Sequence, residues 1–245
     1  MSIELTTSAC CLQKLTRDEL FQAAAQAGYA HVELFPGMTS KYDPAGEPAE
    51  AFRGHGVGVS AFHLPPDLPR AAQAVRLAAR VGVPQLIAHG GGAPHEADRW
   101  LAPTVALARE LGVEVVVTNH KGQSIESAEH IAAVLKACGP DAPGVLLEAG
   151  QFWAAGIDAA EALERFRPWV KLVHLKDLDA QGKSVPFGTG VSPLDAFLQD
   201  LASHGYAGRI CVELEMKELP TAEVVRHLDA ARFVLATGLG LAVAK

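Results

Sequence analysis

Val170-Lys-Leu-Val-His-Leu-Lys176 is apolar at Val170, Leu172, Val173 and Leu175, yet it closes on an imidazole and an ammonium. A short, nearly continuous apolar run of this kind predicts a parallel strand buried on both faces, and its polar end needs a separate explanation. The pattern recurs along the chain at Ile3–Ser8, His31–Phe35, Gly56–Leu64, Gln85–His89, Val113–His120, Gly144–Glu148 and Arg209–Met216. Amphipathic stretches follow the successive strands: Arg17–Ala27, Pro44–Arg53, Leu68–Arg80, Glu96–Leu111, Ile125–Cys138, Ala159–Phe166, Pro193–His204 and Thr221–Ala236. Eight strands, each followed by a helix, predict an α/β protein whose parallel sheet closes into a (β/α)8 barrel.

The punctuation agrees. Gly28, Gly82, Gly112, Gly139 and Gly205 each follow a helical stretch, and Thr16-Arg-Asp-Glu19 has the spacing of a capping box. No linker or shift in composition divides the 245 residues, so a single domain over 1–245 is expected. An open doubly wound sheet would want a glycine-rich nucleotide loop after its first strand, where Thr7-Ser-Ala-Cys10 stands.

Composition narrows the function. A net charge of −7 without a basic stripe argues against nucleic acid. Cys10, Cys11, Cys138 and Cys211 form no C-x-x-C pair, which suggests reduced thiols and a cytoplasmic location. The start, Met1 to Leu5, lacks the charged-then-apolar pattern of a leader, and no run suits a membrane span.

In a barrel the C-terminal strand ends gather at one mouth. Here they carry Glu33, His63, His89, His120, Glu148, His174 with Lys176, and Glu213 with Glu215. Alternation along a strand puts His174 and Lys176 on one face, Glu213 and Glu215 on another, and Thr118 with His120. One mouth histidine needs no special reading; the set, drawn from strands distant in sequence, points to a site. Glu148 and Glu213 facing each other would require a cation between them. A divalent metal completed by His174 would serve, and so would Lys176 or a protonated His174 without metal.

These segments resemble the xylose isomerase-like TIM-barrel family, the sugar phosphate isomerases/epimerases related to AP endonucleases. The resemblance is carried in order by Gly28-Tyr-Ala-His-Val-Glu-Leu34, Val59-Ser-Ala-Phe-His63, Ala88-His-Gly-Gly-Gly92, Thr118-Asn-His120 and Leu147-Glu-Ala-Gly-Gln151 with Ala155-Gly-Ile-Asp158. It continues through Val173-His-Leu-Lys-Asp177, Pro186-Phe-Gly-Thr-Gly190 and Gly205-Tyr-Ala-Gly-Arg-Ile-Cys-Val-Glu213. It implies a TIM barrel, a small carbohydrate substrate, often a homodimer or homotetramer, and a divalent metal (Mn, Mg, Zn or Co) held by four strand-end residues. His174 and Glu213 match that set. Glu148 stands for the usual Asp, Thr118 for the first Glu, Gln151 for the His of Asp-x-x-His, and Thr189 for a frequent Glu of the glycine loop. His63 and His89 match positions that bind substrate in the sugar enzymes and metal in the endonucleases.

The resemblance therefore implies metal at Glu148, His174 and Glu213 with water completing the shell, although the exchange of a carboxylate for Thr118 lowers the expected affinity. The longer Glu148 side chain shifts its oxygens by about 1.5 Å relative to Asp. Catalysis is expected from Glu213, Glu148 and His174. Losing one of two carboxylates argues against two-base epimerisation and for one-base isomerisation or β-elimination on a keto sugar or polyol. Substrate contacts are expected from His63, His89, His120, Gln151, Trp153 and Lys176, the last also able to pair with Glu148 or Asp177. Phe152 and Trp153 are read as loop residues that either wall the pocket or pack. Gly188-Thr-Gly190 offers a weak phosphate cradle, and Arg209 starts its strand at the far end, so a non-phosphorylated substrate is favoured. A binding protein that kept the fold but lost the chemistry is the main competitor, favoured by Thr118, Gln151 and Thr189; a repair endonuclease fits poorly.

Overall fold

The computed structural model describes residues 3–241, so Met1, Ser2 and the last four residues, which the leader and single-domain expectations include, lie outside the described residues. Eight parallel strands form the expected closed barrel: β1 Glu4–Ser8, β2 His31–Leu34, β3 Val57–His63, β4 Gln85–Ala88, β5 Glu114–Thr118, β6 Gly144–Glu148, β7 Val170–Leu175 and β8 Arg209–Val212. Each pairs with its neighbours in chain order, β8 returns to β1, and the β2–β3 pairing completes the ring. Around it pack α1 Arg17–Gln26, α2 Leu68–Val81, α3 Ala102–Glu110, α4 Ala128–Cys138, α5 Ala149–Ala154, α6 Ala159–Phe166, α7 Leu194–Ser203 and α8 Thr221–Gly238.

Local chemistry explains the helix ends. Thr16 and Glu19 form the reciprocal capping box at the start of α1. Asp67 accepts from the Arg70 N–H at the start of α2, and Gly82, at φ +78°, turns the chain out of it in a left-handed conformation. No helix among the described residues is long and apolar enough to cross a membrane.

Three expected elements differ. Pro44–Arg53 is not a helix: Gly46 sits at φ +143° and Pro48 follows, leaving a loop, one 3-10 turn at Ala49–Phe52 and a two-residue strand, Arg53–Gly54, antiparallel to β3. That loop is tied down by Arg17, whose guanidinium pairs with Glu47 at 2.7 Å. Glu96–Leu111 is broken into a 3-10 turn, a short helix Ala97–Trp100 and α3, because Pro103 cannot donate across the junction at Leu101. Phe152 and Trp153 lie in α5 instead of a loop; the apolar side chain of Phe152 is fully buried and pulls that turn onto the barrel. A two-strand hairpin, Asp177–Leu178 with Ser184–Val185, also follows β7.

The core has two parts. Most apolar side chains lie between barrel and helices, while Ala61, Ile87, Val116, Leu146 and Leu172 form a separate cluster contributed by five consecutive strands. These five lie on the inner side of the barrel. Adding two residues to each gives His63, His89, Thr118, Glu148 and His174, so alternation stacks the polar mouth directly on an apolar floor. The opposite end is closed by Arg209, which donates to the Ser60 carbonyl at 2.8 Å and lies 3.8 Å from Glu4. Since the floor is fully buried, Leu146→Ala should destabilise the fold by about 2–5 kcal/mol in chemical denaturation.

Candidate functional site

β7 supplies the centre of the site. His174 and Lys176 project on the same side, as expected, and both are buried. The Nε2 of His174 contacts Glu33 of β2 at 3.0 Å. Its Nδ1 faces Glu213 at 3.2 Å and Glu148 at 3.5 Å. The Lys176 ammonium lies 2.8 Å from Glu213, 2.8 Å from Glu215 and 3.7 Å from Glu148. Lys176 thus pairs with Glu148, as one reading anticipated, and not with Asp177; Glu213 and Glu215 are added partners. Its direction is enforced by Gly150 in α5, where an added Cβ would fall 2.2 Å from the lysine Cγ.

These contacts set the protonation states. Burial alone would raise the Glu213 carboxyl, but Lys176 and then His174 outweigh it and hold the group well below the usual range. Glu148 moves the other way, pushed up by burial that Lys176 does not fully offset. Burial opposes charge on His174, yet Glu33 and Glu213 raise its pKa well above the ordinary value. Burial would also raise Glu33, but His174 and His63 hold it at about 2. Lys176 stays charged because Glu148 and Glu213 overcome its desolvation.

Glu33 is the organiser. Besides His174 it takes the Nε2 of His63 at 3.1 Å, and the His63 Nδ1 meets the His89 Nε2. With Glu33 ionised, His63 donates from Nε2 and accepts from His89, a neutral chain consistent with burial lowering the pKa of both imidazoles. Phe35 stacks on His63 at 3.5 Å between ring centroids, and Tyr42 donates its hydroxyl to the His63 carbonyl at 2.7 Å. Asn119 clamps the backbone of Glu148 from both sides: its amide donates to the Glu148 carbonyl, and its oxygen accepts from the Glu148 N–H, each at 3.0 Å. The sequence marked Asn119 only as a member of Thr-Asn-His; its buried amide at a strand end was the available signal.

The other expected residues are spread more widely. His120 and Gln151 contact each other at 3.3 Å on the rim. Thr118 is buried and donates to the Asn119 carbonyl. Trp153 packs edge-on against Phe197 and lines an outer groove beside α7, apart from the His174 cluster. The Gly188-Thr-Gly190 loop is not a free phosphate cradle, because the Gly188 and Gly190 N–H groups both donate to the Asp177 carboxylate at 2.9 Å. Gly190 is obligatory there, since a Cβ would meet that carboxylate at 2.2 Å.

The residues fit a divalent cation. One donor atom each from Glu148, His174 and Glu213 lie within 4.8 Å of one another. The buried Oε1 of Glu148 has no hydrogen-bond partner, and an orphaned carboxylate oxygen at such a vertex suits a metal. Glu33 holds the far nitrogen of His174, the support that metal-bound imidazoles commonly receive. A second triplet, Glu33, His174 and Cys211, shares the same imidazole.

A closed parallel barrel with buried carboxylates and imidazoles at its C-terminal mouth belongs among the barrels built to carry a strand-end site. The chain belongs to the xylose isomerase-like TIM barrel family, whose family model matches residues 21–231. An inosose dehydratase of Mesomycoplasma hyopneumoniae strain 7448 is 27% identical over 150 residues, covering 52% of this chain and 50% of the relative. The chain spans about half the length of the curated relatives it matches. Among solved structures, an IolI protein with a bound zinc atom superposes with a TM-score of 0.78 at 16% identity, over 96% of this chain and 98% of that one. An L-ribulose 3-epimerase gives 0.76 at 16% identity, over 97% and 95%. At these identities the superpositions speak for the fold.

Gly150→Ala should drive the Lys176 stem off its seat and break its ion pairs with Glu213 and Glu215. The expected cost is about 1–3 kcal/mol of stability by denaturant titration. Unchanged stability would mean that Lys176 has room the close approach denies it.

Proposed function

We propose that this chain, acting as one unit over residues 1–245, is an enzyme that moves a proton on one face of a small keto sugar or polyol. The observation that carries the proposal is the split between two neighbouring buried carboxylates: Glu213 is held ionised, while burial favours the protonated form of Glu148. Environments that push two carboxyls apart assign them as base and acid. Glu213 is the base that takes the proton beside the substrate carbonyl. Glu148 or His174 gives one to a substrate oxygen, the carbonyl in isomerisation or the departing hydroxyl in dehydration. Lys176 faces the negative charge that develops on oxygen, where a fixed buried cation is most effective. His89, His120 and Gln151 are assigned to substrate hydroxyls, while His63, expected among them, has both nitrogens taken by Glu33 and His89 and positions His89 instead.

Glu148, Glu213 and the Nδ1 of His174 are the residues that would hold a divalent cation, which would take the place of the proton that burial favours on Glu148, in keeping with the zinc of the IolI structure. A cation bound there supplies Lewis acidity to a carbonyl and its neighbouring hydroxyl. Glu33 then keeps the His174 proton on Nε2 and leaves Nδ1 open.

Isomerisation needs only one base, because the same carboxylate removes and redelivers the proton on one face. Dehydration is the second reading, favoured by the inosose dehydratases among the relatives and by the carboxyl next to the base whose protonated form burial favours. It uses the same abstraction, followed by loss of a protonated hydroxyl. With ketoses and inososes incubated in D2O, Glu213→Gln should slow exchange of the carbonyl-adjacent proton by about 10²–10⁴-fold while leaving substrate affinity largely intact. The appearance of an aldose or of a dehydrated enone separates the two readings. Clean inversion at the exchanging carbon, dependent on Glu213, would defeat the one-base mechanism.

Metal affinity gives an independent check. Glu33→Gln should weaken manganese binding, read by electron paramagnetic resonance, by about 10–100-fold, because the supporting contact to His174 is lost. Unaltered affinity would remove Glu33 from that role.

A further inference from the structure

The loops leaving β5, β6, β7 and β8 surround a cleft of about 660 Å³ that opens directly onto Lys176 and Glu215. Its lining holds Lys121, Lys176, Lys183 and Lys217, four of the nine lysines in a chain whose net charge is −7. Lys121, Lys183 and Lys217 come from three different loops, so no basic run in the sequence brings them together. All three are exposed. Among the described residues none of the three is paired with a carboxylate; the Lys121 ammonium rests on the Ala154 carbonyl. Two carboxylates share the lining, Glu215 and Glu218, and Glu215 is already taken by Lys176. Three cations therefore face one free carboxylate across a concave surface, where fields of one sign add. The alternative anion cradle nearby, the glycine loop, has given its N–H groups to Asp177.

We propose that this cleft receives an anionic group, a carboxylate or a phosphate, carried by the substrate at the end remote from the carbon that Glu213 addresses. The inference rests on the proposed function and deepens it: the substrate is a charged hydroxy-carbonyl compound. Lys176 joins the two regions, since it lines the cleft and binds Glu213.

Three ketohexoses that differ only at the sixth carbon test it: fructose, fructuronate and fructose 6-phosphate, titrated into the full chain by calorimetry. At least one of the anions should bind about tenfold or more tightly than fructose, and its identity decides between carboxylate and phosphate. Combined Lys121→Glu, Lys183→Glu and Lys217→Glu should erase the preference, and the three Lys→Gln changes should reduce it. Salt should weaken the anion and leave fructose unaffected. Binding is read here instead of turnover, so Glu213→Gln should keep the preference. Loss of the exchange reaction's dependence on Glu213 would strike the proposed function alone. Equal affinities, no binding of any of the three, or a preference that survives charge reversal would overturn the anion site.

Discussion

The mouth of this barrel depends on two cations held two residues apart on one strand. His174 and Lys176 are placed by β7 among carboxylates from β2, β6 and the end of β8. Removing an ionised carboxylate from water costs several kcal/mol unless it is paired, and Glu33, Glu148 and Glu213 are all buried. Each of the two cations serves more than one acid, so the group titrates as a unit. The asymmetry between Glu148 and Glu213 follows: Lys176 is 2.8 Å from one and 3.7 Å from the other, and the nearer acid is the one held ionised.

Much of this was legible in the residues. The period of two along a strand turns Ala61, Ile87, Val116, Leu146 and Leu172 into the floor, and His63, His89, Thr118, Glu148 and His174 into the layer above it. A reader of the sequence needs only the strand ends to list that layer. The choice between Lys176, His174 and a metal as partner of the acids was not legible, because it depends on angstrom-scale distances set by packing. Gly150 shows why: the direction of Lys176 is fixed by the absence of a side chain on another element. Pro44–Arg53 shows the complementary failure. Its apolar spacing suggested a helix, but Gly46 and Pro48 override a weak periodic signal, and the Arg17–Glu47 pair holds the resulting loop.

The helpers of the site were also hidden, for a shared reason. Asn119 acts through the backbone of Glu148, Asp177 through the backbone of the glycine loop, and Tyr42 through the carbonyl of His63. Polar side chains that bond to main chain are indistinguishable in sequence from solvated ones until the approach of a second segment is known. Their burial separates them afterwards, since a buried amide, carboxylate or phenol without such a partner would be costly.

Thr118 constrains the chemistry further. It occupies the same layer as His89 and Glu148, and its hydroxyl is turned to the Asn119 carbonyl. A hydroxyl in that place can neither balance a cation nor accept a proton from carbon at neutral pH. Glu33 is ionised too, but its carboxylate is taken by His174 and His63, which leaves Glu213 on the β8 side as the base, with Glu148 and the neutral His63–His89 pair opposite. A mouth in which Glu213 is held ionised beside a carboxyl whose pKa burial raises suits reactions in which a proton leaves and returns from one side, or in which a hydroxyl departs after the proton is taken. Inversion, which needs an acceptor and a donor on opposite faces of the same carbon, would have to recruit Glu148 in its ionised form, and burial opposes that state.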